Sequence, residues 1–194
     1  FCSGLYSPLG RSCLGTTLFN LEKRPMNKPA DLTHLDPEGR PRMVDVSAKV
    51  PSRRRAVATG CLVLGEIEAR ALEAGTLPKG DPWNLARIGA VNGVKRTADL
   101  IPLAHPLSVD GVKVDHFWDP NTSTAWLKVE VSVEARTGVE MEAMAGVCGG
   151  LLVLYDMLKA AGQDMALGPV RLLLKEGGRR GTVTGSLPGC PWSI

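Results

Sequence analysis

No pair of cysteines in this 194-residue chain has the spacing of a metal site. The five cysteines stand at positions 2, 13, 61, 148 and 190. The count is odd and C-x-x-C is missing, which argues against zinc and iron–sulfur centres and for a reducing compartment. There is no uninterrupted apolar run of about 18 residues, so no membrane-spanning helix is expected. Two standard nucleotide devices, G-x-x-x-x-G-K-[ST] and G-x-G-x-x-G, are absent. So are G-x-S-x-G and H-E-x-x-H, which removes the nucleophile-elbow hydrolases and the zinc peptidases. The net charge of +3 falls short of the basic surface that nucleic-acid binding demands. It suits anionic small molecules. No internal repeat and no low-complexity tract is present.

What remains is long enough for one domain with a real core. Residues 1–31 carry few apolar residues at any regular period. They are expected to be a disordered linker, precursor or targeting segment. The folded domain is expected over residues 32–176, and the Gly-, Pro- and Arg-containing tail 177–194 is expected to be poorly ordered.

Arg55 to Leu64 reads as a strand with Ala56, Ala58, Leu62 and Leu64 inward. Glu66 to Ala74 reads as a helix closed by Gly75 in a left-handed cap. Asp81 is a good N-cap and Pro82 suits the first helical position. The helix they open is expected to reach Asp99 or Leu100, burying Leu85, Ile88, Val91 and Val94. Its Gly89 and Gly93 favour close packing against a neighbour.

Val112–Trp118 and Ala125–Val133 alternate around Asp119-Pro-Asn-Thr-Ser, which predicts a hairpin. Thr137-Gly-Val-Glu140 fits a capping box for a long apolar helix ending at Gly162. Pro169–Lys175 reads as a last strand. The order β-α-α-β-β-α-β predicts an α+β fold of the ferredoxin-like type: an antiparallel sheet, helices on one face, and one added helix.

The long helix carries the chemistry. Asp156 and Lys159 project from one side of it, among Leu151, Leu152, Val153, Leu154, Met157 and Leu158. Such a pair offers a base and an acid, and partial burial is expected to lower the lysine's pKa. Glu140 and Glu142 sit in the first turn, where the helix dipole welcomes acids. Glu142 is the stronger functional candidate, because Glu140 has the capping role. Residues 142 and 156 lie on roughly one side but about 21 Å apart at 1.5 Å per residue. Within one chain they cannot share a small reacting centre. Either they serve the two ends of a long ligand, or a second subunit brings them together. His105 stands between Pro102 and Pro106, a stiff setting for a ligand contact or proton donor. Lys49, Arg53, Arg54, Arg55, Lys79 and Lys175 are cations near element ends, able to neutralise phosphates if several converge.

Six blocks in one order then identify a family resemblance. Met43-Val-Asp-Val-Ser-Ala-Lys, Lys79-Gly-Asp, Lys95-Arg-Thr, Leu100-Ile-Pro-Leu-Ala-His-Pro-Leu, Thr137-Gly-Val-Glu-Met-Glu-Ala and Tyr155-Asp-Met-Leu-Lys-Ala resemble the cyclic pyranopterin monophosphate synthase family, molybdenum cofactor biosynthesis protein C. The resemblance covers about Leu32 to Gly181.

It implies a lyase that rearranges 3′,8-cyclo-7,8-dihydro-GTP to cyclic pyranopterin monophosphate and pyrophosphate. A radical-SAM partner enzyme supplies that substrate in the family. The resemblance places Asp156, Lys159 and Lys79 in catalysis. Leu103, Ala104, His105, Glu140, Met141, Glu142, Lys95, Arg54 and Lys175 fall on substrate-binding positions. No cofactor and no metal-ligating residue is expected, and charge and composition argue against nucleic acid and membrane as partners. The resemblance also implies a homohexamer built from dimers with sites between subunits. Some eukaryotic relatives are fused behind the radical-SAM partner, so a mitochondrial matrix setting is expected, with the cytoplasm as the alternative. Ala104 stands where relatives often carry Cys, and the ending Thr182 to Ile194 has no counterpart in the family pattern.

Overall fold

A computed structural model describes residues 35–75, 77–179 and 181–194. The expectation for residues 1–31 therefore lies outside the described residues. Among the described residues, five strands and four helices follow in the order β1 (Ser52–Leu64), α1 (Glu66–Ala74), α2 (Pro82–Lys95), α3 (Thr97–Leu100), β2 (Gly111–Asp119), β3 (Thr124–Ala135), α4 (Glu140–Leu158), β4 (Met165–Glu176) and β5 (Val183–Thr184). The strands form one sheet in the order β2-β3-β1-β4-β5. Every pairing is antiparallel. The first four strands have the connectivity of the split β-α-β arrangement, so the α+β expectation holds.

β1 is central and buried on both faces. Ala56, Ala58, Leu62 and Leu64 point to the helices, as their alternation predicts. Val57 points the other way and packs with Leu173 and Leu174 against Leu187 and Cys190 of the C-terminal tail. The tail thus has a structural part that its composition does not announce. It pairs with β4 through β5, and the Lys128 ammonium sits 5.0 Å from the ring centre of Trp192.

The helix layer rests on α4, whose Leu151, Leu154 and Leu158 are fully buried. By length and composition α4 could cross a bilayer, but here it is the core helix of the domain. Its main helical neighbour is α2, and the face that α2 presents corrects the sequence reading. Ala86, Ala90 and Val94 are buried, whereas Ile88 is 64% exposed.

Small residues explain the reversal. A Cβ on Gly93 would lie 2.5 Å from the Ala145 carbonyl oxygen, and one on Gly149 would lie 2.8 Å from that of Gly89. The two backbones touch, so Ile88, next to Gly89, is left outside.

Other boundaries shift for local reasons. Gly75 takes φ 63°, and its N–H donates to the Leu72 carbonyl, the predicted cap. Asp81 accepts from the N–H groups of Trp83 and Asn84, again as predicted. The helix after it breaks at Arg96 rather than continuing to Leu100. Thr137 does not cap α4. The N-cap is Val139, with no side-chain bond, and the helix ends at Leu158, short of Gly162.

Candidate active site

The last turn of α4 holds Asp156 between two lysines. One carboxyl oxygen lies 2.7 Å from Lys79 Nζ and the other lies 2.7 Å from Lys159 Nζ. Lys79 also donates to the Asp156 backbone carbonyl at 3.2 Å. Helical spacing brings Lys159 there, while Lys79 arrives from the turn between α1 and α2, 77 residues away in sequence.

The three side chains are half exposed, at 45%, 51% and 53% for Lys79, Asp156 and Lys159. The apolar flanks of the helix thus do not bury the pair as the sequence suggests, because Asp156 and Lys159 lie on the exposed face of a last turn whose Met157 and Leu158 are buried. The Lys159 ammonium, then that of Lys79, draws the Asp156 carboxyl down to about 2. Asp156 in turn raises the Lys159 pKa, contrary to the expected lowering by burial. The two groups rest as carboxylate and ammonium.

The first turn of α4 builds a different environment. A cavity of about 390 Å³ is walled by Leu103, Ala104 and His105, by Thr137 and Gly138, and by Glu140, Met141 and Glu142. Lys49, Val44 and Val46 close it from the segment before β1. Glu142 is only 4% exposed. Burial pushes its carboxyl above the usual range, its own backbone N–H opposes this, and the charge of Glu140 adds to the rise. Glu140 forms a 3.1 Å ion pair with Lys175. Lys95 reaches the same region from the end of α2, sharing a smaller recess with Glu142, Thr97 and Ser108.

Six candidates from sequence therefore meet in one cavity: Leu103, Ala104, His105, Glu140, Met141 and Glu142. Lys175 and Lys95 stand beside it through Glu140 and Glu142. Asp156, Lys159 and Lys79 meet one another, but they are not in the wall of the Glu142 cavity or of the recesses beside it. Arg54 joins neither group. It is buried, with Nε donating to the Ala135 carbonyl at 3.4 Å and its guanidinium against Gly178.

Lys49 lines the cavity as well, and the sequence marks it twice, as a cation near an element end and as the last residue of the Met43–Lys49 block. Among the described residues, no group of three His, Cys, Asp or Glu side chains is placed to hold a metal.

The chain's similarities to known proteins fall on these same segments. The model of the MoaC family matches residues 43–178. A cyclic pyranopterin monophosphate synthase of Roseiflexus sp. (strain RS-1) is 47% identical over 152 residues, covering 78% of this chain and 96% of that protein. The enzyme of the same name from Rhodospirillum rubrum is 44% identical over 155 residues, covering 80% and 93%. That of Pelotomaculum thermopropionicum is 41% identical over 150 residues, covering 77% and 88%. The matched span runs from the wall of the cavity through the Asp156 cluster to the end of β4, and with it the chain belongs to the MoaC family.

Proposed function

We propose that this chain is a lyase of molybdenum cofactor biosynthesis that converts 3′,8-cyclo-7,8-dihydro-GTP to cyclic pyranopterin monophosphate and pyrophosphate. The relatives named for that product support the reading. The observation that carries it is Asp156, gripped at 2.7 Å by both Lys79 and Lys159.

Opening one ring, closing another and forming a cyclic phosphate all require proton transfers at fixed positions. Lys159 rests as a charged donor and Asp156 as a charged acceptor, and because their ion pair makes each a weak one, bound substrate has to loosen it before a proton moves. Lys79 adds a second positive charge against the phosphates or a developing oxyanion. At the other end of α4, Lys49, Lys95 and Lys175 supply cations for the triphosphate. The buried Glu142 can bond to N–H groups of the purine-derived ring.

The reading extends to a second copy of the chain. The two clusters lie about 21 Å apart along one helix, too far for one reacting centre. In this proposal each site takes the Asp156 end from one subunit and the Glu142 end from another, within a homohexamer built from dimers. An apolar groove lined by Leu85, Ile88, Val91 and Val153 supports contact between copies. A radical-SAM enzyme would supply the substrate. The compartment proposed is the mitochondrial matrix, or else the cytoplasm; the free thiols of Cys61, Cys148 and Cys190 suit either.

Incubation with the cyclised GTP intermediate tests the activity. Pyrophosphate and a pterin product should appear together at equal amounts. Turnover of neither, with folded protein and intact substrate, would overturn the proposal.

A further inference from the structure

Glu68 is the most deeply buried acid among the described residues, at 2% exposure, and neither cluster above uses it. It occupies the first turn of α1. Its carboxyl accepts the Asp164 N–H at 2.9 Å, and the Gly65 N–H donates to the Asp164 carbonyl at 2.6 Å. Both sides of the Asp164 residue are thereby tied to the start of α1. The space around the carboxyl is kept clear by glycines. A Cβ on Gly162 would collide with one carboxyl oxygen, and a Cβ on Gly65 would stand 2.7 Å from the other.

An ordinary first-turn acid sits in solvent and serves the helix dipole. A buried one must gain from a fixed partner. The partner here is the turn that follows α4. Lys159 stands in that turn, between the buried Leu158 and the tethered Asp164. In chain order the other end of α1 comes shortly before the turn that carries Lys79. One short helix thus joins the two segments whose lysines grip Asp156.

We propose that Glu68 is a positioning residue that sets Lys159, and through α1 Lys79, against Asp156. The inference rests on the reading of Asp156 and Lys159 as the reacting pair. Glu68 touches no substrate and moves no proton. It fixes the backbone from which the lysines reach, and small misplacements of such groups carry large rate losses.

Three variants test this: Glu68→Ala, Glu68→Gln, which keeps an acceptor oxygen, and Gly162→Ala, which crowds the carboxyl. Two quantities are read on each: kcat against KM for pyrophosphate release, and the titration of Lys159 followed by 13Cε NMR, with Lys159→Arg assigning the signal. Glu68→Ala and Gly162→Ala should each lower kcat by about 10- to 100-fold with little change in KM. The Lys159 titration should fall back toward an ordinary lysine's in both, and Glu68→Gln should largely restore both readouts.

An unchanged Lys159 titration in both Glu68→Ala and Gly162→Ala would overturn the proposal. So would a loss confined to thermal stability. If Glu68→Ala does not fold, Gly162→Ala carries the same two readouts. If Lys159→Ala keeps full turnover, the catalytic reading fails instead, and the NMR titration still decides whether Glu68 positions the lysine.

Discussion

The two ends of α4 use ionisable groups in opposite ways. At the C-terminal end, Asp156 is half exposed and has two cationic partners at 2.7 Å. Its charge is stabilised by contact, and its carboxyl titrates low. At the N-terminal end, Glu142 is almost wholly buried, and the described ion pairs give it no cation. Its carboxyl is pushed up by burial. Two carboxyl groups on one helix are therefore prepared for different work. One stays an anion across the usual pH range, while the other holds its proton to higher pH than an ordinary carboxyl. Sites that need both acid and base separate such pKa values through environment rather than residue type.

Removing the exposed anion should have the largest effect. Asp156→Asn should lower kcat by roughly 10²–10⁴-fold, with the melting temperature nearly unchanged because the side chain lies outside the core. Assays of pyrophosphate release alongside thermal unfolding measure both. The comparison sharpens if Asp156→Asn and Glu142→Gln subunits are unfolded, mixed and refolded together. Regained turnover is expected if one site combines the two ends of different copies. Mixtures as inactive as their parents would mean that the ends do not cooperate between chains.

The next effect is on stability rather than rate. Gly93→Val places side-chain atoms where the Ala145 carbonyl oxygen stands, 2.5 Å from the ideal Cβ position. It should cost about 1–3 kcal/mol in chemical denaturation by forcing α2 from α4. The scaffold that separates the two ends would then be weakened without touching either.

Glu142→Gln should have a pH-dependent effect of the opposite sign. A carboxyl whose folded pKa lies above its unfolded value of 4.5 favours the fold most below 4.5. That contribution is lost as pH rises through the higher folded value. The glutamine variant should thus gain stability over the parent at neutral pH and lose this advantage in acid. Unfolding midpoints at pH 4 and pH 7 measure the difference.

The smallest effect is at the other end of the helix. Asp156 should titrate near 2 by carboxyl 13C NMR, against an ordinary 3.8. Whatever stability its ion pairs add is complete above 3.8 and disappears only as pH falls toward 2. Lys159 behaves conversely. Its share is present below 10.5 and is lost at more alkaline pH. A midpoint for Asp156 near 4 would mean that the lysines do not hold it in solution.

Patterns that depend on local chemistry were legible in the sequence. Gly75 needs its left-handed conformation, and Asp81 before Pro82 starts a helix through its own side chain and backbone. The alternation in β1 identifies its inward residues because strand side chains change face at every step. The Asp156–Lys159 pair was legible for the same reason, since three residues along a helix bring side chains together.

The buried face of α2 was legible only in part: Gly89 and Gly93 announced the close approach and Val94 is buried as expected, but Ile88 is not. Periodicity gives weight to large apolar residues, but two helices met through Gly89, Gly93 and Gly149, which left Ile88 outside. The capping box also failed, because Glu140 found a cation on β4 rather than the N-cap backbone.

By itself, then, the sequence determined the order of the main elements, both ends of α1 and the start of α2, the inward face of β1, and the residue types of both clusters, because these follow from steric and hydrogen-bonding rules among near neighbours. Only the tertiary structure decided that Lys79 joins Asp156, that Glu142 is buried while Asp156 is not, and that Glu68 ties α1 to the turn after α4. Contacts between distant segments depend on how closely backbones approach, and hydrophobic patterning does not specify that distance.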